Sequence, residues 1–327
     1  MQYTSLGRTG LQVSRLCLGT MNFGPQTTKE DSFKVMDRAL EHRINFFDTA
    51  DVYGWQKGEG VTEQIIGDWF AQGGNRRERV VIATKLYGDM GKDELEGWPN
   101  SNRVTALHIR RACEGSLKRL KTDYIDLYQM HHIFRDAPWD EIWEAYDVLK
   151  TQGKILYAGS SNFAGWHIVQ ANEAAAKRNS VGLVSEQSKY SLLQREIEME
   201  VGPAAEAYGV GVIPWSPLAG GILGGVIKTN EGQRRLNDQS KQTIEKHRDA
   251  LTKWEDLCES MGEKPADVAL AWTLSKSFVT APIIGPRTIE QLDGSLRALE
   301  IKVTDEINTK LDEIFPAFKT SPEHYAW

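Results

Sequence analysis

Four residues suited to moving a proton stand at comparable places along the chain. Asp48 follows the apolar run 44–47, Lys85 follows 80–83, His131 follows 124–130, and Tyr53 lies just beyond Asp48. A tyrosine has an ordinary pKa of about 10, too high for an efficient acid near neutrality. An ammonium beside it favours the tyrosinate and lowers that value, and a carboxylate beside the ammonium keeps it charged and in place. A neutral histidine can donate a hydrogen bond to a substrate oxygen. Together these types suit the reduction of a carbonyl group, or the reverse oxidation of an alcohol. None of them carries a hydride, so the chemistry requires a nicotinamide cofactor. Singly, each has a plainer reading: Asp48 as a turn cap, Lys85 as a solvated charge, His131 and His132 as partly buried imidazoles, Tyr53 as a packing aromatic. Their joint occurrence on one rim is what would carry the chemistry.

That joint occurrence depends on the elements that position them. Apolar runs of strand length at 16–18, 44–47, 80–83, 124–130, 155–158, 183–185, 210–214 and 280–284 alternate with amphipathic stretches at 29–42, 62–70, 104–120, 140–150, 165–177, 196–208 and 288–299. Short strands alternating with helices imply right-handed crossovers and a parallel sheet. Eight units predict an α/β fold of the (β/α)₈ barrel type, taken as a single domain over residues 1–327. A doubly wound open sheet would carry a Gly-rich turn after its first strand, and no GxGxxG follows any strand here. In a barrel the strand ends Asp48, Lys85, His131, Asn162 and Gln187 share one rim. Residues 1–14, with Gly7 and Gly10 between two alternating runs, read as a β-hairpin plugging the barrel floor. The connection 216–278 between strands seven and eight is abnormally long; helix patterns at 244–261 and 266–274 leave only its first part as loop.

Composition narrows the function classes. Among 327 residues, Lys+Arg number 39 and Asp+Glu 45, a net charge of −6, which lacks the basic footprint of a nucleic-acid binder. No apolar stretch reaches the ~18 residues of a membrane span, and no signal peptide is visible at the start. Cys17, Cys113 and Cys258 are widely spaced and odd in number, which suits neither a metal knuckle nor a disulfide framework. A cytoplasmic enzyme with reduced thiols is the simplest expectation. A metal-dependent hydrolase using His131, His132 and Asp48 would need at least three ligands of suitable geometry; no metal is expected.

The chain resembles the aldo-keto reductases over nearly its whole length. YTSLGRTGLQVSRLCLGTMNFG (Tyr3 to Gly24) is similar to the family's opening hairpin and first strand, and INFFDTADVYG (Ile44 to Gly54) to its signature around the catalytic aspartate and tyrosine. ATK ending at Lys85, DYIDLYQMHH ending at His132, GSSNF from Gly159 and PWSPLAGG from Pro214 follow in the family's order. The resemblance implies that Tyr53 is the general acid or base, Lys85 its tuning partner paired with Asp48, and His131, preferred over His132 by spacing, the group that orients the carbonyl. It implies NADP(H) as cofactor, with NAD(H) as the alternative. Gly19, Thr20, Met21 and Asp48 would face it, with Ser161, Asn162 and Gln187 on the carboxamide and Trp215 stacked on the nicotinamide. Ser216, Pro217, Leu218, Gly220 and Gly221 would approach the pyrophosphate. Gly285, Arg287 and Gln291 would hold the adenosine end, Arg287 reading the 2′-phosphate. Phe23, Trp55, Tyr87, Trp98 and Phe134, with Met21, would wall the pocket for a small carbonyl or alcohol substrate.

Two departures stand out. Relatives often read TGK after the Gly-rich stretch, where this chain has Gly224-Gly225-Val226 and only then Lys228; relatives often read Glu-Asn where this chain has Gly294-Ser295. Arg234 and Arg235 are candidates to compensate. Channel-associated β-subunits share the same motifs, so a nicotinamide-binding regulatory subunit with slow turnover is the alternative to an enzyme. The oligomeric state stays open, with homo-oligomers common among relatives.

Overall fold

The computed structural model describes residues 1–55, 58–91, 96–228, 238–320, 323 and 325–326. Arg234 and Arg235 lie outside the described residues. The chain opens with an antiparallel hairpin, β1 (Tyr3–Ser5) and β2 (Gln12–Ser14). Strand–helix units follow: β3 (Cys17–Gly19) and α1 (Lys29–Glu41), β4 (Phe46–Asp48) and α2 (Val61–Phe70), β5 (Val81–Leu86) and α3 (Ala106–Leu120), β6 (Ile125–Met130) and α4 (Trp139–Thr151), β7 (Ile155–Ser161) and α5 (Gly165–Lys177), β8 (Leu183–Gln187) and α6 (Val201–Tyr208). β9 (Gly211–Val212) leads into the long connection, which holds α7 (Asp238–Lys246), α8 (Arg248–Met261) and α9 (Pro265–Leu274). β10 (Ile283–Ile284), α10 (Ile289–Ser295) and α11 (Asp305–Ile314) complete the order.

Strands β3 to β10 form one parallel sheet with β10 beside β3. Backbone bonds also join the two edges: Thr280 N–H donates to Val212 O at 2.8 Å, and Ile283 N–H to Pro214 O at 2.8 Å. The sheet therefore curls onto itself as the eight-unit count predicts, and the hairpin lies across its floor. Leu6 and Val13 from the hairpin are fully buried among Cys17, Phe46, Ala83, Leu127 and Ile213 inside the curl. Gly7 makes that approach possible. It sits at φ +54°, and a Cβ there would meet Val184 O at 2.4 Å and Gly209 O at 2.6 Å.

Alternation along the strands splits the core into two layers. Phe46, Ala83 and Leu127 point inward, while Phe47, Ile82 and Tyr128 pack outward under the helices with Trp69, Trp143 and Trp272. The same parity sends Asp48, Lys85 and Gln129 into the mouth of the curl. Helix starts follow from threonine caps. Thr28, Thr105, Thr288 and Thr304 each accept a backbone N–H of the first turn, from Asp31, His108, Gln291 and Ile307.

Some boundaries differ from expectation. Lys85 lies within β5 rather than after it. The stretch 244–261 is two helices, broken at His247. The stretch 196–208 becomes a 3₁₀ turn at Glu196–Glu198 followed by α6. Helix α11 was not expected. No described helix is long and apolar enough to cross a membrane, and all three cysteines are fully buried as free thiols.

Candidate active site

The register of the sheet assembles the rim. Gly19 pairs with Asp48, Asp48 with Ala83, Lys85 with Gln129, and Ser161 with Gln187. Lys85 is fully buried and donates from Nζ to Asp48 Oδ2 at 2.8 Å, to Thr49 O at 2.8 Å and to the Tyr53 hydroxyl oxygen at 3.3 Å. Asp48 Oδ1 accepts from Gln187 Nε2 at 2.7 Å and from Gln129 Nε2 at 3.4 Å. The Tyr53 ring meets His131 edge-on, with centroids 6.0 Å apart. His132 instead stacks behind His131 at 5.0 Å and abuts Tyr87 at 5.1 Å. The side chain beside Tyr53 is therefore His131.

Electrostatics depart from the simple expectation for Tyr53. Burial pushes its hydroxyl above the ordinary tyrosine value; Lys85 pulls it down but does not prevail. For Lys85, burial disfavours the charge, yet Asp48 and Tyr53 together outweigh it and the pKa ends above ordinary. Burial, then Lys85 and His132, hold His131 well below the usual histidine value, so its ring is neutral at pH 7. Tyr53 thus keeps its proton at neutrality, and an ammonium stands ready for the phenolate.

The residues assigned to a nicotinamide lie around this group. Asn162 sits at φ +59°. Its Nδ2 donates to His131 O at 3.1 Å, and its Oδ1 accepts from Trp215 Nε1 at 3.1 Å. Ser161 Oγ donates to Gln187 O at 2.8 Å, and Thr20 Oγ1 to Asp48 O at 2.8 Å. Gln187 is thus spent partly on Asp48. After Trp215 the backbone runs through left-handed conformations at Ser216, Ala219, Gly220 and Gly221, and Gly220 N–H rests on Ser216 Oγ at 3.1 Å. Such turns gather N–H groups into an anion-binding concavity; Pro217 is buried beneath it and Leu218 half-buried. At the far end, Asn22 Nδ2 donates to Gly285 O at 2.9 Å and Arg287 N–H to Gln291 Oε1 at 2.8 Å. The Arg287 Nε is covered by protein and has no acceptor. With the backbone concavity at Ser216 to Gly221 and the half-buried Arg287 at the far end, the residues fit a phosphate-bearing dinucleotide.

The Lys228 departure has a structural outcome. Its ammonium is held by Asp256 and Glu259, each at 2.5 Å. The N–H groups of Val226, Ile227 and Lys228 all donate to the Glu255 carboxylate at 2.7 Å. This stretch is bound to α8 and offers nothing to a phosphate.

Among the expected wall residues, Trp55 and Trp98 are each 62% exposed and Met21 47%. Tyr87 and Phe134 are half-buried, with the Arg103 guanidinium 5.0 Å over the Phe134 ring. Phe23 is different: it is fully buried, with its carbonyl accepting from Thr62 Oγ1 at 2.9 Å, and packs in the outer core rather than walling a pocket. A cavity of about 680 Å³ lined by Tyr3, Gln12, Leu40, Arg43, Asn45 and Arg79 opens at the opposite end of the strands, away from Tyr53. Among the described residues no group of three or more His, Cys, Asp or Glu is arranged to hold a metal ion. Sequence reasoning missed Gln129, Glu186 and Glu255; only strand parity could have flagged Gln129, two residues before His131.

The sequence pattern of the aldo/keto reductase family matches residues 15–315. The chain belongs to the aldo/keto reductase family. It is 58% identical to the uncharacterized oxidoreductase YrpG of Bacillus subtilis over the full length of both chains. It is 33% identical to a norsolorinic acid reductase of Emericella nidulans, over 94% of this chain and 79% of the relative. It is 30% identical to a probable voltage-gated potassium channel subunit beta of Arabidopsis thaliana, over 99% of this chain and the whole relative. Membership makes the chain an oxidoreductase of aldo/keto reductase type.

Proposed function

We propose that this aldo/keto reductase uses NADPH to reduce an aldehyde or ketone, or runs the reverse alcohol oxidation, as one barrel domain acting on small molecules in the cytoplasm. The observation that carries the reading is the continuous contact Asp48–Lys85–Tyr53 beside a neutral His131. When bound, the nicotinamide supplies the hydride to the carbonyl carbon. His131 donates a hydrogen bond that holds the carbonyl oxygen toward Tyr53. Tyr53 gives its proton to that oxygen as negative charge develops, and Lys85, 3.3 Å away, stabilises the phenolate left behind. Asp48 keeps Lys85 charged, and solvent returns the proton to Tyr53. The half-buried Arg287 guanidinium, beside Gln291 at the adenosine end, supports NADPH over NADH.

Tyr53→Phe removes the transferable proton and keeps the ring. Reduction of a simple aldehyde such as 4-nitrobenzaldehyde should fall at least about a hundredfold, while the NADPH dissociation constant, read by quenching of tryptophan fluorescence, stays nearly the same. Comparable turnover in the variant would sink Tyr53 as the acid. The identity with the plant channel subunit supports a second reading, a nicotinamide-binding regulatory subunit with slow turnover. A kcat of about 1 s⁻¹ or more, the ordinary enzyme range, favours the reductase.

A further inference from the structure

One buried carboxylate near the rim takes no part in the chemistry above. Glu186 is fully buried on β8. The pleat sends Gln187 inward to Asp48 and Glu186 to the other face of the sheet, under the connection from β7 to α5. There its Oε2 accepts the Ser160 hydroxyl at 2.5 Å. Its Oε1 accepts the Ser188 hydroxyl at 2.7 Å and the Phe163 N–H at 3.1 Å. The carboxylate therefore ties together the end of β7, the residue after β8 and the turn that opens α5.

Next to Phe163 in that turn is Asn162, at φ +59°. Asparagine enters this region more readily than most residues, and its neighbours decide whether it stays there. From this conformation Asn162 bridges the rim, bonded to His131 O on one side and to the Trp215 indole on the other, each at 3.1 Å. The groups facing Glu186 are hydroxyls and backbone N–H groups; burial pushes it up to about 7 while these donors hold it down. A carboxylate buried without a facing cation is a costly way to fill space, and the groups that donate to it all converge on this turn and the adjoining strand ends.

We propose that Glu186 is a positioning residue for the nicotinamide end of the site: by pinning the Phe163 N–H it holds Asn162 left-handed, and through Asn162 it sets His131 and Trp215 relative to each other. This role rests on the reading of the rim as a nicotinamide site.

The test uses the full chain and two probes. NADPH spans the whole site; 2′,5′-ADP occupies only the adenosine end. In Glu186→Ala the NADPH dissociation constant, read by tryptophan quenching, should rise about tenfold or more, while 2′,5′-ADP, read by displacement, stays within about twofold. Glu186→Gln should restore most of the affinity, because its carbonyl keeps the Phe163 N–H and the Ser188 hydroxyl, and the Ser160 hydroxyl can turn to accept from its amide. If Glu186→Ala does not fold, Ser188→Ala, which removes one donor, should show the same selectivity in smaller degree. Unchanged NADPH affinity in the folded variant overturns the proposal, as does equal weakening of both probes. Failure of the wild-type chain to bind NADPH at all would instead end the cofactor reading, and this role with it.

Discussion

A fully buried ammonium such as Lys85 survives because every donor is spent: a carboxylate, a carbonyl and a phenol surround it. Removing Asp48 would leave the charge uncompensated, so the aspartate is structural as well as chemical. Arg287 is the opposite case, a guanidinium whose Nε lacks an acceptor. Arg287→Ala should weaken NADPH about tenfold or more and NADH little, the difference being the charge-assisted bond to the 2′-phosphate. Fluorescence titration with both dinucleotides decides it; equal loss would show that Arg287 does not read the phosphate. Residue types and their order made Asp48, Tyr53, Lys85 and His131 legible in the sequence. The direction in which the Tyr53 pKa moves was not, because a sequence shows the charged partner and hides the burial that opposes it. Phe23 was misplaced for a related reason: an aromatic in a loop reads as exposed until the backbone turns it under a helix.

Turns in the hairpin show how little an element's letters reveal about its fit. Gly7 and Gly10 look equivalent in the sequence. A Cβ on Gly7 would strike three backbone atoms, Val184 O at 2.4 Å, Gly209 O at 2.6 Å and Gly211 N at 2.9 Å, from a left-handed backbone; at Gly10 nothing lies within 4 Å. Gly7→Ala should cost about 2 kcal/mol or more, seen as a lowered urea midpoint, whereas Gly10→Ala leaves it nearly unchanged. Matching midpoints for the two variants would mean the hairpin does not seal the floor. The strand–helix alternation was readable because buried parallel strands are nearly continuous apolar runs. Element ends were less so: Lys85 falls inside β5 because neighbouring strands and Asp48 accommodate its charge. Helix α11 carried a signal, Thr304 as cap with Ile307, Leu311 and Ile314 on one face, but lies beyond the eight-unit count that organised the reading.

For the molecule as a whole, folding is linked to protons through His108. It is 3% exposed on α3, its Nε2 has no partner, and burial pushes it down to about 4. Unfolded, the ring titrates near 6.5. Between those values the unfolded chain binds a proton that the folded chain refuses, so stability is lost as pH falls from about 6.5 toward 4. His108→Gln has no such proton to bind. The gap between the urea midpoints of wild type and variant should therefore narrow as pH falls through this window; a constant gap would remove His108 from the acid response. Closure of the sheet followed from counting units, whereas the bonds that seal it, at Val212 and Pro214, fall where the last strand is weakest in sequence. The three thiols sit in separate places: Cys17 within the curl, Cys113 on α3, Cys258 on α8 of the long connection. A thiol reagent therefore meets no sulfhydryl on the native surface and labels each only as fast as its own surroundings open, so the chain carries three clocks for its local breathing, one in the barrel, one in the helical coat and one in the insertion.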